Sequence, residues 1–219
     1  MNDKIIEYSF YLTYAFLVTT GTVTFIESLR TKVDSMRHIL NLETCISIVA
    51  AFFYGQFVNH FKKETMEIDY KSININRYVD WAITTPIMLL VLILAFRFNL
   101  SKLAQVKFID FIIILLLNYA MLGSGYLGEI GQMSRTYANI IGFVFFGGLF
   151  GYIYHTYIKK YNNKSNNLLY GAFFVLWAFY GVFYQMEQVS RNVGYNILDL
   201  FSKCFIGLYF WAYFTKIFN

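Results

Sequence analysis

Apolar residues run along this chain in seven blocks, each close to the ~20 residues that a helix needs to cross a hydrocarbon layer. They fall near 7–29, 37–60, 77–97, 106–127, 134–158, 167–187 and 191–216. The connections RTKVDSM, FNLSKLAQVK and KKYNNKSNN are short and polar. A longer one, KKETMEIDYKSININ, joins the second and third blocks and is β-capable around Glu67–Ser72. No repeat or low-complexity tract interrupts the pattern. It predicts an all-α membrane protein, a seven-transmembrane helix bundle that forms one domain over 1–219.

Basic residues at the span ends set the expected orientation. One side carries Arg30, Lys32, Arg37, Arg97, Lys102, Lys107, Lys159, Lys160 and Lys164, with Asp34 opposing them. The other mixes Lys4, Lys62, Lys63, Lys71, Arg77, Arg135 and Arg191 with Asp3, Glu64, Glu67, Asp69 and Glu187. The first side is expected to be cytoplasmic, which puts the N-terminus outside and the C-terminus in the cytoplasm. The N-terminal MNDKIIEYSF lacks a basic stretch and a small-residue cleavage site, so the first block is expected to be retained as a span.

Composition agrees with the pattern. The 219 residues are 58% hydrophobic and 21% aromatic, with a single proline, Pro86. Charged residues make up 14%, against ~25% in soluble domains. The net charge of +5 comes from span ends, so no nucleic-acid partner is expected. Cys45 and Cys204 both fall inside apolar blocks and read as buried, inert thiols. His38, His60 and His155 lie near span ends and read as interface residues. No metal-ligand spacing and no catalytic triad stand out, and no enzyme is expected.

Candidate chemistry begins with Lys203, the one lysine deep in a span, in NILDLFSKCFIGLYFWAYF. A lysine at bilayer depth is costly unless its charge is paired or its amine is used. Asp199, four residues earlier, shares its helix face. In the third span, RYVDWAITTPIMLLVLILAF, Arg77, Asp80 and Thr84 share another face. An unpaired Asp80 in that apolar run needs a cation, and Lys203 is the available one. Spacing leaves two readings open, a structural ion pair between spans or a lysine Schiff base with a buried counterion.

RYVDWAITTP together with DLFSK closely resembles the microbial (type 1) rhodopsins, and the resemblance covers all seven spans. RHILNLETCIS, the short chain and the compact loops look most like the rhodopsins of giant viruses of marine protists. The resemblance implies all-trans retinal in the core, bound to Lys203 as a protonated Schiff base. It makes Asp80 the proton acceptor and counterion, Asp199 the second counterion, and Arg77 the switchable arginine, with Thr84 bonded to the acceptor. Trp81 and Trp177 match the indoles on either side of the polyene. Thr85, Met88, Met121, Gly125, Tyr180, Gly181 and Tyr184 match the rest of the pocket. Most of the 24 Phe and 19 Tyr need no such role.

Three departures bear on mechanism. Pumps of the family commonly carry an acid eleven residues after the acceptor, and here Val91 stands there. Val91 lies six residues inside Arg97 and Glu43 six residues inside Arg37, both ~9 Å from the boundary at 1.5 Å per residue. Glu43 is therefore a candidate proton donor, because a neutral carboxyl at that depth is what a donor requires. Glu27, three residues before Arg30, is a candidate relay from solvent; a snorkelling or loop-bonded glutamate is the alternative for both. Second, Gly181 replaces a proline beside the retinal ring, which predicts a less kinked, more adaptable sixth helix. Third, Glu187 stands alone at the outer end of the last two spans, where a proton-releasing carboxylate pair would need a partner.

The expectation is a light-driven outward proton pump embedded in the lipid bilayer, a homo-oligomer of three or five copies. A light-gated cation channel is the alternative, since Glu27 and Glu43 would also suit a cation path. A photosensor is a third reading, disfavoured because no further domain is expected beyond Asn219. Chloride and sodium pumping are disfavoured by Asp80 and by the Asp80–Thr84 pattern.

Overall fold

The computed structural model describes residues 2–61, 69–100, 106–161 and 163–215. Its helices are α1 (Asn2–Arg30), α2 (Asp34–Phe61), α3 (Tyr70–Asn99), α4 (Phe108–Glu129), α5 (Arg135–Ile153), α6 (Lys164–Tyr184), α7 (Gln188–Asp199) and α8 (Ile206–Thr215). A π-helical turn, Tyr154–Ile158, continues α5. Another, Leu200–Phe205, joins α7 to α8, so that Gln188–Thr215 runs as one span. Among the described residues, seven helices are long and apolar enough to cross a membrane. Lys62, Lys63, Glu64, Glu67 and Lys102, used above for orientation, lie outside the described residues, as do the side chains of Asp3 and His60.

The third helix begins at Tyr70, seven residues earlier than the apolar pattern suggests, and the β-capable reading fails for Tyr70–Ser72. Asp69 is the reason. Its carboxylate accepts a hydrogen bond from the Ser72 backbone N–H at 2.9 Å, satisfying a donor that the first helical turn leaves unpaired. Ser134 and Asn163 act likewise ahead of α5 and α6, accepting from Tyr137 and Asn166.

The chain divides into two compact units, one formed by 1–80 with 186–219 and the other by 81–185. In the first, Ile6, Phe10 and Leu17 of α1 pack with Ala50, Phe53, Tyr54, Phe57 and Val58 of α2, with Ile73 and Cys204 completing the core. The buried face of α1 interleaves those apolar residues with Thr13, Thr20, Thr24 and Ser28, all at three- or four-residue steps. Thr24 and Thr44 bond across α1 and α2 at 2.9 Å. Cys204 is buried, but Cys45 is exposed, because the face of α2 that turns Glu43, Thr44 and Ser47 inward turns Cys45 and Ile48 out.

In the second unit, Phe146, Phe150, Phe174 and Trp177 form an aromatic cluster between α5 and α6, with ring centroids 4.7–5.8 Å apart. Asn166 is buried at the start of α6, donating to the Phe96 carbonyl at 3.2 Å and accepting from Asn99 at 2.8 Å. This ties the end of α3 to α6 without leaving buried amides unpaired.

Candidate functional site

Lys203 lies in the π-helical turn of the last span and is 1% exposed. Its ammonium donates to Asp80 Oδ2 at 2.6 Å and lies 3.5 Å from Asp199 Oδ1. Both aspartates are fully buried. Two carboxylates and one ammonium leave a net negative charge, and Arg77 stands where it offsets that excess. Its Nη1 is 3.8 Å from Asp199 Oδ2. A buried quartet of this kind is tolerable only where further hydrogen bonds satisfy its oxygens.

Residues that the sequence reading did not single out supply those bonds. Tyr54 Oη lies 2.8 Å from Asp199 Oδ2 and 3.0 Å from Asn196 Oδ1, and accepts from Arg77 Nη1 at 3.1 Å. Arg77 Nη2 donates to Asn196 Oδ1 and, at 3.4 Å, to Asn192 Oδ1. Asn196 in turn donates to Ser9 at 2.8 Å, and its carbonyl accepts from Thr13 at 3.1 Å. The guanidinium is also surrounded by the rings of Phe10, Phe57, Tyr54 and Tyr195, with centroids 5.0–5.6 Å away, a favourable setting for a cation. Asn192, Asn196, Asp199 and Lys203 follow a four-three-four spacing on one helix face, which was a legible signal. Tyr54 carries none, as one of 19 tyrosines.

Farther along the same unit, Glu43 is 2% exposed on α2. Its carboxyl faces the last span at Gly207, where an added Cβ would stand 3.1 Å from Glu43 Oε2. Glu27, at the end of α1, is 3.7 Å from Arg30. Glu187 is an exposed residue ahead of α7; near it, Gln188 accepts from Asn74 at 3.1 Å and pairs with the buried Arg191.

In the second unit, Trp81, Thr85 and Met88 of α3 are buried, as are Trp177 and Tyr184 of α6. Thr84 is fully buried, and so is Val91. Trp81 meets Tyr180 edge-on at 5.4 Å. Thr85 donates to the Trp81 carbonyl at 2.7 Å and accepts from the buried Asn118 at 2.9 Å. Tyr184 donates to the Gly125 carbonyl at 2.9 Å, and the Met121 carbonyl accepts from Ser124 at 2.7 Å. At Gly181 an added Cβ would stand 2.6 Å from the Phe143 ring. The glycine therefore admits Phe143 of α5 against α6, a packing role beside the flexibility expected of it.

A lysine held between two buried carboxylates, in a chain of seven membrane-length helices, defines an integral membrane protein with a charged centre inside its spans. The chain belongs to the bacteriorhodopsin-like protein family, whose model matches residues 5–217. Among solved structures, viral rhodopsin OLPVRII is 67% identical over 98% of this chain and 99% of that one, with a TM-score of 0.90. Two others share the fold at lower identity. A blue light-absorbing proteorhodopsin from Med12 is 22% identical, covering 96% and 97% of the two chains with a TM-score of 0.78. Halorhodopsin, a light-driven chloride pump, is 16% identical, covering 95% and 94% with a TM-score of 0.75. No curated protein matches the sequence.

The family implies a retinal chromophore, and the residues present fit one. Lys203 offers a primary amine whose immediate surroundings are anionic, which suits a cationic linkage at that nitrogen.

Proposed function

We propose that this protein is a light-driven outward proton pump. The observation that carries the reading is the 2.6 Å contact between Lys203 Nζ and Asp80 Oδ2, within direct proton-transfer reach and sealed from bulk water. All-trans retinal bound at Lys203 would supply light absorption and a light-driven change in the proton affinity of that nitrogen. The chain's own residues handle the proton. Asp80 receives it at Oδ2, with Thr84 bonded to the acceptor as in the family. Asp199, held by Tyr54, keeps a negative charge beside Nζ, and Arg77 balances it. Trp81 and Trp177 would flank the polyene, with Met88, Met121, Gly125, Tyr180, Gly181 and Tyr184 completing its walls and Thr85 fixing the α3 side.

Glu43 is the proposed donor that restores the proton to Lys203 from the cytoplasmic side, because Val91 has no proton to give. Glu27 would relay from solvent. In this reading the N-terminus is outside, the C-terminus is cytoplasmic, and the single domain assembles as a pentamer or trimer in the bilayer.

A light-gated cation channel is the second reading, favoured by the buried hydroxyls of Thr13, Thr20, Thr24 and Ser28 along α1 beside Glu43. Photocurrent against membrane voltage, with defined ions on each side, separates the two. A pump drives outward current at zero gradient, whereas a channel's current reverses at the equilibrium potential of its ion.

A further inference from the structure

Successive spans alternate in direction, so the end of α3, the start of α4, the end of the α5 π-helical turn and the start of α6 share one rim of the second unit. Five exposed cations stand there: Arg97, Lys107, Lys159, Lys160 and Lys164. This unit holds two acids, Asp110 and Glu129. Glu129 lies at the far end of α4, and Asp110 Oδ1 already accepts the Tyr152 hydroxyl at 2.8 Å. None of the five cations makes an ion pair among the described residues. Lys160 lies 5.4 Å from the Tyr161 ring centroid, which holds the ammonium without neutralising it. Residues 101–105, which connect α3 to α4, add Lys102 and no acid.

The connection between α1 and α2, in the first unit, pairs its charges instead. Arg30 is 3.7 Å from Glu27. Arg37 is 3.1 Å from Asp34 and donates to the Thr31 carbonyl at 3.0 Å. The second unit therefore carries the larger share of unneutralised positive charge among the described residues.

Those cations sit at the edge of an apolar surface. Phe108, directly after Lys107, is 78% exposed, with the exposed Ile109 beside it. Leu168, four residues after Lys164 and on the same face of α6, is 74% exposed. Such a surface belongs in hydrocarbon, and lysine stems reach from its edge to headgroup depth. The start of α4 is also favourable to an anion, because Lys107 at its N-cap supplies no side-chain bond to the first-turn N–H groups. A partner that fits has an acidic head joined directly to an apolar tail.

We propose that this rim binds the headgroups of anionic phospholipids. Lys107, Lys159, Lys160 and Lys164 hold the acidic head, and the acyl chains run along Phe108, Ile109 and Leu168. Each lysine near an anionic headgroup strengthens association by roughly fivefold, and salt weakens it. Such binding is independent of what the protein transports.

The test uses the retinal-loaded chain in phosphatidylcholine vesicles that carry a trace of spin-labelled phosphatidylserine or phosphatidylcholine. The motionally restricted fraction of each label gives its relative association with the protein. Wild type should favour phosphatidylserine by at least ~5-fold at low salt, and the preference should shrink near ~1 M salt. Lys159→Gln/Lys160→Gln/Lys164→Gln should bring it within about twofold of unity. Arg30→Gln/Lys32→Gln/Arg37→Gln removes the same charge from the first unit and should leave the preference close to wild type. An intact visible band checks the folding of each variant. Arg97→Gln/Lys107→Gln, on the other two helices of the rim, should lower the preference too, and it decides if the lysine triple variant does not fold. A preference absent from wild type, retained in the rim variants, or lost equally in the two triple variants would overturn the rim as a lipid site.

Discussion

On either side of Lys203 the same three spans build opposite kinds of polar interior. Toward Arg77, every step from Lys203 to Asp199, Tyr54, Asn196 and Thr13 is a direct hydrogen bond or ion pair, closed around by aromatic rings. Toward Glu43 the polar groups are smaller and more sparsely linked: Thr24 bonds Thr44 across α1 and α2, and Ser47 Oγ meets no partner among the described residues. The first arrangement is rigid because each member fixes its neighbour's geometry. The second is looser, because the Glu43 carboxyl faces the backbone of Gly207 and not a charged or hydrogen-bonding side chain of the last span. The proton pump proposed above would use that asymmetry. Charge must be held still where it stabilises the ground state, and access must be able to change where the proton is replaced.

The largest blow to the comparison is to remove its centre. Lys203→Ala should abolish the visible absorption band, since the attachment point is lost. It also leaves Asp80 and Asp199 without their shared cation, at a cost of ~3–5 kcal/mol for breaking a buried charge pair. A retained, hydroxylamine-sensitive red-shifted band in purified Lys203→Ala protein would refute the attachment.

Next comes the side toward the acceptor. Asp80→Asn should move the band to longer wavelength and stop proton transport, because it removes both a negative charge beside Nζ and the group that receives the proton. Acidifying the wild type should produce the same red shift, since protonating Asp80 removes the same charge. Spectra unchanged in both experiments would transfer the counterion role to Asp199.

Within the tight half, Tyr54→Phe removes one hydroxyl that touches Asp199, Asn196 and Arg77. It should cost ~1–3 kcal/mol, the range for leaving buried partners unsatisfied, read as a lower temperature for thermal loss of the visible band. A midpoint equal to wild type would mean that Asn196 and water fully replace the tyrosine.

The smallest static effect belongs to the loose half. Glu43→Gln keeps the shape of a side chain that carries no fixed bond, so band position and thermal midpoint should stay close to wild type, within ~0.5 kcal/mol. Its effect should fall on the rate of proton return alone. A large loss of stability in Glu43→Gln would show that Glu43 is a structural member like Tyr54, and the comparison would collapse.

Much of this was legible before any coordinates. Seven apolar blocks specify seven helices because, in a membrane, each backbone polar group must bond within its own segment. Lys203, Asp199 and Asp80 announced themselves because ionisable residues at bilayer depth are too costly to be incidental. The start of α3 was misjudged by seven residues, because hydropathy reports where lipid begins and not where Asp69 can cap a helix. Tyr54 left no trace because a single tyrosine barely shifts a hydropathy window, whereas Asn192 and Asn196 were legible only in their four-three-four spacing with Asp199 and Lys203.

Helix number, the depth of each charged group and the helix faces that carry them are properties of spacing along one chain, and spacing is written in the residues. Which side chains meet across helices is not. Depth matching could put Glu43 at the right height, but only the packing of α1, α2 and the last span turned its carboxyl toward Gly207. The same packing gathered Tyr54, Asn196 and Arg77 around Asp199. Rotation of a helix about its axis is fixed by contacts with its neighbours, and those contacts exist only once the chain has folded.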